Sequence, residues 1–310
     1  MSLAADIYAR QLFRLGYGYP LWFPEPNEDG EIEIGDVGYV EDGAFLRMFN
    51  ITRKADDKIH EKHGVPDDFH DMKPNDWGRH KMENAIPAGP LTSISVKKVD
   101  FQAKAGAQGV GFSGTFHCAE NQGALLILKD SATRERLPAL RKVKNYMLKN
   151  IQNWYSFARD KLDLETREDE IWLIIGHSKT TQWAVSAITN GGKSAQLSVS
   201  GEFGLPINLS VAGERAPQQD RRSQQHTEPP EQQEAVDNEP LKENQCVFLH
   251  YLKMKRRLGI FPNVMKGAAE PQDLSTDQDD DDDLIEQVPN YRKVIPSAVS
   301  RCCDLVLTSI

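Results

Sequence analysis

From Ala195 to Val211 the chain alternates without a break. Ala195, Leu197, Val199, Gly201, Phe203, Leu205, Ile207, Leu209 and Val211 are apolar or glycine, and the residues between them are polar, small or proline. A strand sends successive side chains to opposite faces, so this run encodes one apolar face and one wet face. Ordinary strands hold about 5–6 residues, and this run is about three times as long. Pro206 removes a ladder donor midway, which argues against a central strand running through it. The run therefore predicts either a hairpin turning near Gly204–Pro206, with strands of about nine and five residues, or an edge strand. Two-faced ribbons of this length serve either to cover a core or to cross a bilayer as part of a barrel wall.

The rest of the chain supplies partners for such a ribbon. Residues 91–105 alternate too, but the apolar phase flips between Val96 and Val99, which predicts a bulge at Lys97–Lys98. Gly106–Gly109 reads as a turn. In Val110–Cys118, Val110, Phe112, Phe116 and Cys118 share one face, while Ser113, Thr115 and His117 share the other. Residues 91–118 thus predict a long hairpin of small residues that pairs with the 195–211 ribbon. Leu140, Val143, Met147, Ile151, Trp154, Ala158 and Leu162 recur at helical spacing, predicting a helix over 137–162 for that ribbon to lie against. A first helix is predicted over 4–15, stopped by Gly16. The Pro-rich loop 17–26 carries Tyr17, Tyr19, Trp22 and Phe23, aromatics that pin a loop onto a body.

Strands are predicted at 31–40, 44–51, 124–128, 171–175, 181–189 and 245–255, with 171–175 and 181–189 opposed across a short turn. Residues 52–90 read as irregular, with one short helix around 56–63. The segment 214–243 is rich in Gln, Glu, Pro and Arg without apolar periodicity, which predicts a disordered loop or linker. The expected fold class is α+β: a curved, mainly antiparallel sheet with long hairpins, packed against one long helix and an N-terminal helix. Its expected parts are a body over 1–213, the linker 214–243, a strand returning to the body over 244–265, and an acidic tail over 266–310 with a weakly apolar end.

Charge and cysteine content narrow the function. The net charge is −9, and residues 267–290 hold nine acids and no base, so the remainder is neutral overall. That balance argues against nucleic-acid binding, which needs a cationic footprint. The 245–255 strand ends in a dense basic cluster, Lys253, Lys255, Arg256 and Arg257, and the acidic tail is a candidate to cover it. No apolar stretch nears the roughly 20 residues of a membrane helix. The opening residues lack the pattern of a secretory signal. Four cysteines without CxxC spacing fit a reducing, cytoplasmic setting.

Enzymatic and metal signals are weak. Gly176-His-Ser178-Lys-Thr180 approximates the nucleophile elbow of an α/β-hydrolase, with Ser178 as its nucleophile. The last glycine is missing, however, and a β-type segment follows where a helix is required, so a hairpin is the preferred reading. His60 and His63, near Asp67, Asp68, His70, Asp71 and His80, match no metal signature and read as a solvated loop. The Gly106–Gly111 glycines lie between strands, unlike a phosphate loop. No cofactor, metal or catalytic residue is assigned, and the chain reads as non-enzymatic.

A resemblance can be drawn from longer landmarks. These are Gly18-Tyr-Pro-Leu-Trp-Phe-Pro-Glu-Pro26, Ile34-Gly-Asp-Val-Gly38, Gly43-Ala-Phe45, Met48-Phe-Asn50, Gly64-Val-Pro-Asp-Asp-Phe69, Trp154-Tyr155, Trp172 to Val185, and Gln245-Cys-Val-Phe-Leu249. With them the chain resembles an uncharacterised protein family of mushroom-forming (basidiomycete) fungi over most of 4–257. That resemblance implies relatives and no reaction. In the order of its elements the chain is also similar to the pore-forming domain of gasdermins, where two long hairpins refold into a membrane barrel and basic residues engage acidic lipids. The chain departs from gasdermins in its Pro-rich opening, its acidic tail, and its lack of a recognisable inhibitory domain. The likeness implies a gasdermin-like, membrane-perturbing (pore-forming) protein of fungal self-defence. In that role Lys253, Lys255, Arg256 and Arg257 would meet lipid headgroups, and Leu197, Val199 and Phe203 would enter the membrane. The implied partners are an acidic lipid membrane, a regulatory protein or protease, and further copies of the chain. The alternative is a soluble binding or scaffold module without membrane activity.

Overall fold

The computed structural model describes residues 3–72, 78–106, 109–138, 140–189, 195–202, 208–212, 224–227, 241–256 and 262–267. The first half runs α1 (Leu3–Phe13), β1 (Tyr19–Pro20), β2 (Asp36–Glu41), β3 (Ala44–Asn50), β4 (His80–Ile86), β5 (Gly89–Thr92), β6 (Val96–Gly106), β7 (Gly109–Cys118) and β8 (Gln122–Leu128). The second half runs β9 (Ala132–Arg136), α2 (Leu140–Ser156), β10 (Trp172–Thr180), β11 (Trp183–Thr189), β12 (Ala195–Glu202), β13 (Asn208–Ala212), β14 (Gln224–Thr227), β15 (Gln245–Arg256) and β16 (Pro262–Gly267). The fold is α+β with antiparallel pairing throughout, as its sequence patterning implies. The strands divide among three sheets.

The largest sheet is built on β10 and β15, which pair along most of their length. Its flanks change along the way. β10 pairs with β2 at its start and with β9 at its end, and β15 pairs with β1 near its start and β16 towards its end. One face lies under α2, whose Val143, Met147, Ile151 and Trp154 are fully buried against Val37, Phe49, Leu173, Ile175 and Leu252. The helix widens into a π-turn at Phe157–Lys161, which carries Phe157 and Ala158 into the same core. The other face is covered by the loop that carries Leu21 and Ile32.

The second sheet has the order β14-β11-β8-β5 and is the middle of three layers. On one side Leu126, Leu128, Trp183 and Val185 meet Ile7, Tyr8 and Leu12 of α1. On the other, Leu125, Ile127, Ala184 and Ile188 meet the third sheet, β13-β12-β7-β6. Burial on both faces explains why 124–128 reads as an unbroken apolar run and 183–188 as one broken only by the buried Ser186. The loop aromatics do pin it down: Trp22 packs edge-on against Tyr8, Tyr17 on Phe248, and Phe23 on His226.

Several expectations need correction. β10 and β11 are successive in sequence but do not pair, because the chain crosses from the first sheet to the second at 181–182. The long helix covers the first sheet and not the 195–211 ribbon, whose strands instead face β8 and β11. Residues 52–90, expected to be irregular, contain β4 and β5, while the short helix there is a single turn at Lys58–His60. β14 falls inside the segment expected to lack structure and pairs with β11. The acidic tail beyond 267 lies outside the described residues.

Candidate functional site

The third sheet consists of two hairpins laid side by side. β6 pairs with β7, β7 with β12, and β12 with β13. Gly106 faces Gly109 and Ser200 faces Asn208, so each hairpin turns where the sequence implied, although 107–108 and 203–207 lie outside the described residues. Glu202 faces Gly111 and Ala195 faces Cys118, so both tips point to the same end. The phase flip in β6 is a bulge between Lys98 and Asp100, one residue beyond its expected place.

The sheet is two-faced. Phe112, Phe116, Cys118 and Val199 are buried, and Phe101 packs against them. Gly114 keeps the face shut, since a Cβ there would stand 2.9 Å from both the Phe101 and Phe116 rings. Ser113, Gln196, Ser198 and Ser200 are exposed on the opposite face.

The seven residues expected to meet lipid are placed unevenly. Val199 is 1% exposed and covers the core. Leu197 faces Phe116 on β7 and Val211 on β13 in the strand register. Lys255 and Arg256 end β15, opposite Asn263 and Pro262. Phe203 and Arg257 lie outside the described residues. Lys253 is half-buried directly across from Trp172 and lines a cleft.

That cleft, of about 480 Å³, forms where four parts of the chain converge. They are the first turn of α1, the β2–β3 hairpin, the segment 164–170 and the ends of β1, β10 and β15. The hairpin turns on Asp42 and Gly43, both at positive φ (49° and 91°), the backbone of a two-residue Asp-Gly turn. A Cβ on Gly43 would lie 2.5 Å from that of Trp22 and 2.8 Å from that of Ala5, so only glycine lets the turn close against α1. Trp172 stacks on Tyr251 with centroids 3.7 Å apart and planes 7° from parallel, and Tyr19 meets Trp172 edge-on at 4.8 Å. Burial, with help from Asp6, pushes the Tyr19 phenol up to about 12. Burial, then Glu41 and Asp29, raises Tyr39 as well. From the sequence, this cleft is touched at Tyr19, one of the 17–26 aromatics weighed as a ligand platform and read instead as loop anchors, and at Lys253. Its residues are scattered over 5–253, and the Asp-Gly turn is the one local signal among them.

Ser178 occupies no elbow. It lies within β10, is 0% exposed, faces Phe248, and is followed by β11 where a hydrolase requires a helix. Its hydroxyl has no hydrogen-bond partner among the described residues, nor has Nδ1 of its neighbour His177. Burial first, and then Lys179, His250 and Arg79, hold the His177 imidazole down at about 3, so it is neutral at physiological pH. Lys179 is 9% exposed and reaches Glu31 at 3.0 Å.

His60, read as part of a solvated loop, is a core residue at 3% exposure. Its Nδ1 donates to the Lys54 carbonyl at 2.9 Å, and its Nε2 accepts from the Asn50 amide at 3.0 Å. Beside it, Asp36 holds Arg47 through two bonds of 2.7 and 2.9 Å and accepts from Asn50 at 2.7 Å. Burial raises the Asp36 carboxyl, while Arg47, the Glu33 amide and Asn50 pull the other way. Both nitrogens of His60 are therefore committed to the fold. Among the described residues no three His, Cys, Asp or Glu side chains converge as a metal site, and no helix is long and apolar enough to cross a membrane.

No protein-family model and no curated protein matches the chain.

Proposed function

We propose that the chain is a non-enzymatic, gasdermin-like membrane-perturbing protein of fungal self-defence that acts on acidic lipid from the cytoplasmic side. The observation that carries this reading is the paired hairpins. Two adjacent hairpins form one four-stranded sheet with both tips at one end, one apolar face and one polar face. A stretch of membrane barrel wall requires the same alternation, with the apolar face turned to lipid and the polar face to water. β6 and β7, of 11 and 10 residues, match the roughly 9–11 residues that cross a hydrocarbon core. β12 and β13 have 8 and 5 described residues. β6 and β13 are the outer strands of this sheet, and an outer strand offers a ladder to another copy. Such pairing would generate the homo-oligomer that a pore needs. Lys253, Lys255, Arg256 and Arg257 remain the proposed contacts to acidic headgroups, and a protease acting within 214–243 the proposed trigger.

The test is dye leakage from acidic liposomes, before and after limited proteolysis within 214–243. Leakage that follows cleavage and requires acidic lipid is the expected result. Liposomes that stay sealed in both states remove this reading. A soluble binding module is the second reading, and the aromatic cleft beside Lys253 favours it.

A further inference from the structure

We propose that the cleft around Trp172 is a binding site for a choline-type organic cation, most strongly when that cation carries a phosphate ester. The inference stands apart from the membrane-perturbing reading, because liposome leakage and ligand binding are measured separately.

The size is suitable. A volume of about 480 Å³ falls within the roughly 300–1,000 Å³ of small-molecule sites and exceeds what a trimethylammonium group alone would fill. The walls suit a cation. Trp172, Tyr19 and Tyr39 line the cleft, and aromatic faces attract cations, quaternary ammonium groups above all. Tyr251 lies 3.7 Å behind Trp172 and fixes it from that side. Tyr19 is 4.8 Å from Trp172 but 6.3 Å from Tyr251, so it stands beside the stack and not over the other face of Trp172. Neither the Tyr19 nor the Tyr39 hydroxyl is hydrogen-bonded to a described residue.

The charge agrees with the walls. Asp6, Glu41, Asp42, Glu165, Asp169 and Glu170 line the cleft against only Arg167 and Lys253. Arg167 is already held by Asp169 and Glu170, each at 3.2 Å. The carboxylates surround the cleft and do not converge as a metal site would require. Spread negative charge over aromatic walls selects a large, diffuse cation over a small hard one. Lys253 lies opposite Trp172 and has no ion pair among the described residues. Its ammonium gives an anionic substituent on the ligand a counter-charge, which is why a phosphate ester ranks above the free alcohol.

The experiment titrates the full-length protein with choline, phosphocholine and 3,3-dimethylbutanol, the uncharged isostere of choline, by calorimetry. Choline should bind roughly tenfold tighter than the isostere, and phosphocholine tighter again. Replacing Asp6→Asn together with Glu41→Gln, both at the rim, should weaken choline several-fold. Lys253→Met should erase the advantage of phosphocholine, while choline should bind at least as tightly as before because a repelling ammonium has gone. A Trp172→Leu variant that keeps its thermal transition should lose binding. Equal binding of choline and its isostere, undiminished binding by the Asp6/Glu41 variant, or no heat with any of the three ligands would overturn the proposal. Co-sedimentation with phosphatidylcholine vesicles that soluble phosphocholine competes away would assign the ligand to a lipid headgroup. Binding confined to soluble phosphocholine would assign it to a free metabolite.

Discussion

Replacing Phe116 by alanine should loosen the hairpin sheet and leave the sheet beneath α2 intact. Phe116 is 0% exposed in the layer between the hairpin sheet and β8 and β11. Truncating a buried phenylalanine costs about 3–5 kcal/mol, depending on how far the site collapses. Here collapse is restricted. The residues opposite, Leu197 and Lys98, are fixed by strand pairing on both sides, and Gly114 has no side chain to move into the gap. The cost should therefore fall in the upper part of that range, about 4–5 kcal/mol, a large share of the roughly 5–15 kcal/mol that holds a typical domain. Urea unfolding followed by tryptophan fluorescence gives the total, and hydrogen exchange gives its location. Amides of β6, β7 and β12 should lose protection while those of β10 and β15 keep theirs, because the core under α2 shares no buried residue with the hairpin layer. A loss below about 1 kcal/mol, or equal loss of protection in β15, would refute the claim that the hairpins form a separable layer.

Two further outcomes test the buried polar groups. Asp36→Ala strips the Arg47 guanidinium of its buried carboxylate, and at 6% exposure Arg47 cannot turn to water, so roughly 3–5 kcal/mol should be lost. Asp36→Ala combined with Arg47→Met should recover part of it in urea titrations, and a double variant as weak as the single one would count against an uncompensated charge. His177 is held neutral in the fold at about 3, whereas the unfolded chain takes up a proton near 6.5. Its contribution is therefore complete above that upper value and is lost as pH falls towards the lower one, by a total on the order of 5 kcal/mol. His177→Leu should flatten the fall in stability between neutral pH and about pH 4, and an unchanged slope would dismiss this residue as its source.

The sequence was most legible where a period ran long enough to name a face. The 3.6-residue recurrence of Val143, Met147, Ile151 and Trp154 and the two-residue recurrence through β7 and β12 both correspond to real faces. Pro206 and the Val96–Val99 phase flip correctly broke those patterns into a hairpin and a bulge. Short strands with polar sequences were hidden. β4 (His-Lys-Met-Glu-Asn-Ala-Ile) carries no apolar period because it is an outer strand with most of its residues exposed, and β9 (Ala-Thr-Arg-Glu-Arg) carries none because, although it lies between β10 and β4, it buries Arg134 where an apolar residue would stand. The jump between sheets at 181–182 was invisible for another reason. Two apolar strands separated by two residues look like a hairpin, and only the distant β15 and β8 show that each pairs elsewhere. The buried His60 read as solvated because polar residues usually are, and its pairing with Asn50, like that of Asp36 with Arg47 and Asn50, has no local signature. The aromatic cleft shares that cause, since it is assembled from segments that meet only once the chain has folded.

The place of β15 between β10 and its outer neighbours has a consequence in time. Synthesis runs from the N-terminus, and everything needed for the hairpin layer and the strands β5, β8 and β11 behind it has been made by Ala212. β10 must wait for Gln245–Arg256 before its long edge is paired. Throughout that interval a nascent chain carries both hairpins and the strands β5, β8 and β11 behind them beside a half-built sheet whose central strand is open on one side. An open apolar strand edge is a template for the wrong partner. A ribosome that stalls between Ala212 and Gln245 would therefore release a product already equipped with its two hairpins and primed to aggregate through β10.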